Sequence, residues 1–249
     1  MTEPPSTETP HRRLSALEYC AWPELTGRAV TVLLPLGSTE QHGPHLPLNT
    51  DTVIATAVAK SVAQRIRTGE HHALVSPALP YGSSGEHQQF SGTVSIGQAA
   101  LARLLVEYGR SVLEWASRLI FVNGHGGNLV PLRQAVEKLH FEGREVQWAS
   151  CSSAAPDPSD SHAGLIETSL MLYLEPEQVD LSKAAQGNTQ PLHQLLPELR
   201  RGGVQSVSSN GVLGDPRGAS ADAGRRTFEQ IIQFVLHQLD PNTKGAYND

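Results

Sequence analysis

The chain has 249 residues, of which 39% are hydrophobic and 18% charged, a composition typical of a globular protein with a sizeable core. A net charge of -6 without any basic block argues against nucleic acid as a main partner, and no apolar run approaches the roughly 20 residues of a membrane span. Because the N-terminus lacks the pattern of a signal peptide and two cysteines are too few for a disulfide scaffold, we expect a cytoplasmic protein.

Short apolar runs alternate with longer amphipathic stretches along the chain. Strands are predicted at 29–36, 73–77, 119–122 and 145–151, and helices at 50–67, 97–117, 129–140, 166–174 and 223–239. The segment 175–215 has weak periodicity and is expected to shape either a substrate mouth or a subunit contact. We expect tails at 1–12 and 241–249 around one domain at 13–240. The alternation predicts a three-layer α/β/α fold with a mostly parallel sheet.

Polar loops follow all four predicted strands. They cover 37–51, 81–92, 123–128 and 157–167, and each is rich in His, Glu, Asp or Gly. In a parallel α/β sheet, ligands bind beyond the carboxyl ends of the strands. The chemistry is therefore expected at that edge.

The first loop carries Glu40, His42, His45 and Asp51 close together. Carboxylate oxygen and imidazole nitrogen are ligands that divalent zinc, iron and manganese accept. Asp51 is placed in the first turn of the next predicted helix, where a carboxylate is favoured. A polar loop with surface histidines is the alternative, but four such residues favour a metal site.

The loops after the third and fourth strands hold further candidates. His125 lies in the run NGHGGN, whose glycines allow close approach of the backbone to a ligand; a phosphate cradle is the alternative, although the Gly-x-Gly-x-x-Gly pattern is absent. Asp160, His162 and Glu167 surround the start of a predicted helix. His162 is predicted as a proton donor and Glu167 as a ligand or base, against a helix cap with two solvated residues.

The loop after the second strand contains Ser83, Ser84, Glu86 and His87. Small hydroxyls beside a Glu-His pair suit the binding of a polar substrate, as does Asp160 in the fourth loop. A plain Gly/Ser turn is the alternative interpretation.

Three of these motifs together resemble the creatininase family. They are LGSTEQHGPHLPLNTD at 36–51, NGHGGN at 123–128 and HAGLIETS at 162–169. The resemblance implies an α/β amidohydrolase, commonly hexameric, with two divalent metal ions: iron(II) and/or zinc, or manganese. It assigns Glu40, Asp51 and His125 to one metal, and His42 with a bridging Asp51 to the other. Creatininase completes the second metal with a glutamate where this chain has Gly127, and Glu167 is the expected replacement.

Two further segments, 81–87 and 210–220, resemble the creatininase-like peptidases of mycofactocin maturation. Those peptidases release a C-terminal Val-Tyr dipeptide from a modified precursor peptide, so the resemblance implies that peptide as the substrate of a homo-oligomeric enzyme. Metal-activated water would attack the amide, with His162 protonating the leaving amine and Glu167 assisting. The alternatives are another amide of the family's substrates (creatinine or a formamidopyrimidine) and a non-catalytic metal-binding protein of the same fold.

Overall fold

The computed structural model describes residues 16–67, 72–152 and 157–240. The predicted tails at 1–12 and 241–249 lie outside the described residues. The strands are β1 (Val30–Leu36), β2 (His72–Val75), β3 (Arg118–Asn123) and β4 (Val146–Ser150). The α-helices are α1 (Thr50–Ile66), α2 (Gln98–Val112), α3 (Leu129–Phe141), α4 (Leu165–Leu174), α5 (Leu192–Gly202) and α6 (Ala221–Leu239).

The four strands form one parallel sheet in the order β2-β1-β3-β4. Leu36 pairs with Asn123, and Asn123 pairs with Ser150. The carboxyl ends of β1, β3 and β4 therefore lie level at one edge of the sheet.

Helices cover both faces of the sheet, which confirms the predicted three-layer α/β fold. One core cluster joins residues such as Leu33 and Ile120 to α1, α4 and α6, and a second joins residues such as Leu34 and Phe121 to α2 and α3. All seven residues of β1 are buried. Burial on both faces explains why this strand is a continuous apolar run rather than an alternating one.

The helices that follow the neighbouring strands β1 and β3 lie on opposite faces of the sheet. After β1 the chain enters α1 on one face, and after β3 it enters α3 on the other. This divergence opens a crevice at the carboxyl edge, the usual place of a ligand site in such sheets.

Two larger differences separate the prediction from the structure. The second helix ends at Val112 rather than at 117, because the chain turns toward the sheet, where the Ser117 N–H donates to the Val30 carbonyl. The segment 175–215 contains α5, which the sequence analysis missed. Its leucines at 192, 195, 196 and 199 do recur at helical spacing, but the helix is only 11 residues long and contains Pro197. Among the described residues, no helix has the length and apolar character needed to cross a membrane.

Candidate metal centre

The predicted ligands meet at the crevice between β1 and β3. Glu40 and His42 lie in the loop after β1, and Asp51 lies in the first turn of α1. His125 follows β3, and Glu167 lies in the first turn of α4. Residues that are far apart in the sequence thus lie close together, because the strands end and the helices begin at the same edge of the sheet.

Asp51 stands between two groups of potential ligands. Its Oδ2 is 3.3 Å from His125 Nδ1, and its Oδ1 is 3.2 Å from His42 Nε2. The Ser38 hydroxyl donates to Oδ2 at 2.7 Å, which orients the carboxylate. Glu40, Asp51 and His125 form one group with the spacing of a metal site, and His42, Asp51 and Glu167 form another. A carboxylate shared by two such groups is suited to bridge two cations.

The surroundings of the Glu40 carboxylate indicate whether a cation fits at this site. The residue is fully buried, and neither carboxylate oxygen accepts a hydrogen bond. Oε2 is 3.2 Å from His125 Nε2, and Oε1 is 3.4 Å from His87 Nε2. An isolated buried carboxylate is costly, so it requires positive charge beside it. Divalent cations fit this donor set of carboxylates and imidazoles.

Without a metal, protons supply that positive charge. Burial favours neutral imidazole, yet Asp51, Glu167 and Glu40 raise the pKa of His42 to about 10. Glu40 and Asp51 likewise hold the pKa of His125 well above its ordinary value, against the effect of burial. Burial raises the pKa of Glu167 to about 7. A metal must displace these protons in order to bind.

Gln41 organises the histidines behind Glu40, a role that the sequence analysis missed. Its amide nitrogen donates to His87 Nδ1 at 2.8 Å and to the Gly211 carbonyl at 3.0 Å. Because His87 Nδ1 accepts this bond, the proton of neutral His87 lies on Nε2, facing Glu40. The predicted substrate-binding His87 is therefore a buried partner of the Glu40 carboxylate.

His162 lies against this network. Its Nε2 is 2.8 Å from the Gln41 backbone carbonyl, which only accepts hydrogen bonds, and 3.1 Å from the Gln41 amide nitrogen. Because the two hydrogens of that amide are donated to His87 and Gly211, neutral His162 carries its proton on Nε2. The unprotonated Nδ1 then faces Glu40 Oε1, 4.0 Å away. Burial and the charges of His42 and His87 hold the pKa of His162 well below its usual value. Neutral His162 thus presents a proton acceptor to the centre.

Comparison with known proteins agrees with this geometry. The family model for creatininase, described as creatinine amidohydrolase, matches residues 18–239. The chain belongs to the creatininase family. It is 50% identical over 242 residues to the mycofactocin precursor peptide peptidase of Mycobacterium ulcerans, covering 94% of this chain and 96% of the relative. It is 30% identical to the creatinine amidohydrolase of Pseudomonas putida, covering 88% and 93%.

A crystal structure of creatininase superposes with a TM-score of 0.71 at 28% identity, covering 88% of this chain and 94% of that one. The predicted family and fold are therefore confirmed. Other solved creatininases of this family include a Zn-Zn form and a Mn form.

Two asparagines of the NGHGGN motif join the loops of this creatininase-family site. The Asn128 amide donates to the Gly37 carbonyl at 3.0 Å and accepts from the Ser83 N–H at 2.9 Å. Asn123 donates to the carbonyl of His125 at 2.8 Å. The motif thus ties three loops together around His125. The two asparagines that flank His125 in the sequence were the signal that could have predicted this joining of the loops.

Gly127 marks the departure from creatininase. A Cβ at this position would clash with the Ser83 backbone carbonyl, and it would lie 2.5 Å from His125 Nε2 and 2.7 Å from Glu86 Oε1. Glu86 Oε1 is itself 3.6 Å from His125 Nε2. The absence of a side chain at 127 makes room for the carboxylate of Glu86, which reaches the centre from another loop.

The remaining predicted residues occupy different positions. Ser84 is buried, with its hydroxyl 3.4 Å from His125 Nε2, whereas Ser83 lines a cavity. Both oxygens of Asp160 accept backbone N–H groups at the start of α4, from Leu165 at 2.8 Å and Ile166 at 2.9 Å. Asp160 thus caps that helix, and it also lines a cavity, so its role in substrate binding stays a prediction.

His45, a metal-ligand candidate in the first loop, contacts Thr168 instead. Its Nε2 lies 2.9 Å from the Thr168 hydroxyl, and it is not part of the ligand groups formed by the described residues.

Two adjoining cavities open beside the centre. The larger has a volume of about 860 Å³ and the smaller about 630 Å³. His125 and His162 line both cavities. The centre therefore borders two spaces, each large enough for part of a substrate.

Proposed function

We propose that this chain is a metal-dependent peptidase of mycofactocin maturation. It hydrolyses an amide bond of the modified precursor peptide and releases the C-terminal Val-Tyr dipeptide. The observation that carries this proposal is 50% identity to a mycofactocin precursor peptide peptidase across nearly the whole of both chains. Gly127, which replaces the glutamate of creatininase, argues against creatinine as the substrate.

The enzyme would bind two divalent metal ions. These would be iron(II) and/or zinc, with manganese as a further candidate. Glu40, Asp51 and His125 would hold one ion, and His42, Asp51 and Glu167 the other, in agreement with the two groups around Asp51. When bound, the ions supply an activated water molecule and polarise the amide carbonyl.

His162 acts as the proton carrier of the reaction. Since its neutral ring presents unprotonated Nδ1 toward Glu40, it first accepts a proton from the attacking water. It then gives that proton to the leaving amine. The Gln41 carbonyl, 2.8 Å from Nε2, holds the ring in the tautomer that this order requires.

Glu167 acts at the metal centre, and Glu86 acts in the cavity that receives the substrate. The Ala163 N–H donates to Glu167 Oε2 at 2.6 Å, which fixes this carboxylate beside His42 for its two proposed roles, as a ligand and as a base. Glu86 and Ser83 line the larger cavity, where they bind polar groups of the peptide.

Mass spectrometry of wild-type protein and two variants tests the proposal. The metal-loaded protein is incubated with a peptide ending in Val-Tyr and, separately, with creatinine. We expect loss of the dipeptide from the former and no change in the latter. Asp51→Ala should lose metal and activity together, whereas Asp222→Ala, at an exposed first-turn aspartate of α6, should lose neither. A fully active, metal-loaded Asp51→Ala protein would exclude the bridging role.

The subunit number and compartment are also part of the proposal. The family resemblance supports a hexamer, which light scattering coupled to size exclusion measures directly. Cytoplasmic location is tested by fractionation of the producing cell.

A further inference from the structure

Helix α5 spans the cleft between two loops of the metal centre. At its start, the Leu192 N–H donates to the Pro158 carbonyl at 2.9 Å, in the loop that carries His162. At its end, the Gln89 amide donates to the Gly202 carbonyl at 3.0 Å, next to the loop of Glu86 and His87. The helix is thus fixed at both ends beside the centre.

The two sides of α5 have different surroundings. Leu195 is 4% exposed and packs with Val204 and Leu213 in a small separate core. Leu192 and Leu196, one helical turn apart, are 36% and 37% exposed, and both line both cavities. This pair, the α5 strip, therefore faces the same spaces as His125 and His162.

The two adjoining cavities beside the centre indicate what the α5 strip contacts. Each volume lies in the range of about 300–1,000 Å³ that is typical of sites for drug-sized ligands, and a small cyclic amide would fill neither. An extended chain that crosses the centre would enter both. A peptide has this shape, and its side chains on either side of the cleaved amide would lie against the leucines.

Both cavities have apolar and charged walls. Leu170 and Ile231 of the protein core bound the smaller cavity beside Asp160. Val204 bounds the larger one beside Glu86. Since the α5 strip lies on the wall of both cavities, it would contact a peptide that enters either of them.

We propose that the α5 strip is a specificity surface that holds bulky apolar side chains next to the scissile amide. This inference rests on the proposed peptidase function and names the feature by which the substrate is selected. Burial of apolar area against Leu192 and Leu196 would supply the selective binding.

Binding of free dipeptides to the metal-loaded protein tests the strip without requiring turnover. Calorimetry compares Val-Tyr with Ser-Ser for the wild type, Leu192→Ser, Leu196→Ser and Leu196→Met. The matched control is Leu181→Ser, since Leu181 is 49% exposed and lines neither cavity. We expect each serine variant of the strip to weaken Val-Tyr binding about tenfold, the scale of a lost apolar contact in a specificity pocket. Leu196→Met and the control should bind like the wild type.

Kinetics and metal analysis complete the test. The strip variants should raise KM for the peptide with kcat and metal content unchanged. Equal affinity of the wild type for both dipeptides would overturn the inference, as would equal Val-Tyr binding by Leu196→Ser and Leu181→Ser. A changed oligomeric state with unchanged dipeptide binding would instead identify α5 as a subunit contact. Wild-type turnover alone decides the proposed function, so the two failures are distinguishable.

Discussion

Glu40→Gln isolates the contribution of one buried carboxylate to metal binding. The substitution keeps the shape of the side chain and removes its charge, in a residue that is fully buried and whose two oxygens have no hydrogen-bond partner. Asp51, His42, His125 and Glu167 remain. We therefore expect the variant to fold, to bind metal weakly and to lose most of its activity.

The size of the effect follows from linkage between binding and folding. A ligand at about 1,000 times its Kd stabilises the native state by about 4.1 kcal/mol. Loss of even an outer partner of a metal ligand weakens affinity about 10- to 100-fold, and each factor of ten removes about 1.4 kcal/mol. A 100-fold loss, about two such steps, would leave about 1.4 kcal/mol. At roughly 2–4 °C per kcal/mol for a chain of this size, the metal-induced rise in Tm should fall from about 8–16 °C to about 3–6 °C.

Differential scanning fluorimetry of chelator-stripped protein, titrated with zinc and separately with manganese, measures this rise. The matched control is Glu229→Gln, whose carboxylate is 50% exposed in an ion pair with Arg65 at 2.8 Å. Exposed pairs contribute little, so the control should show the full rise. If Glu40→Gln showed the same rise as the control, Glu40 would not be a metal ligand.

Three further predictions concern protons and space at the centre. Because the pKa of His42 is raised to about 10 and that of His125 is also raised, zinc binding at pH 7 should release protons; calorimetric enthalpies that do not depend on the ionisation enthalpy of the buffer would contradict this. For the same reason, the stabilisation of the metal-free protein by protonated His42 should be complete below about pH 6.5 and lost as the pH rises through about 10, as denaturant titrations at several pH values would show. Gly127→Ala should lower the free energy of unfolding by about 1–3 kcal/mol, since its Cβ would clash with the Ser83 backbone carbonyl, and it should reduce kcat/KM, since the Cβ would also lie 2.7 Å from Glu86 Oε1, whereas Gly126→Ala meets nothing within 4 Å. Similar kinetics and unfolding curves for both alanine variants would refute the crowding at 127.

The fold and the ligand types were accessible from the sequence because both are encoded locally. The continuous apolar run of β1 reports burial on two faces of a sheet, and His42 and Asp51 follow it within one loop. The direction of parallel strands then places loops that are distant in the chain, such as that of His125, at the same edge. Periodicity and strand direction were therefore sufficient to predict which loops meet at that edge, whereas the assignment of metal ligands came from the family resemblance and stays a prediction.

Tertiary structure alone decided which side chains face one another. The hydrogen bond from Gln41 to His87 and the space that Gly127 leaves for Glu86 join residues of different loops, and no periodic pattern records such contacts. Asp160 was ambiguous for the same reason, since capping and substrate binding require the same residue type. Helix α5 shows most clearly what sequence analysis could not predict. Leu192 and Leu196 are apolar yet partly exposed, and only the tertiary structure shows that they lie beside the centre. A sequence specifies which groups are present, but their chemistry depends on distances set by packing across the whole sheet.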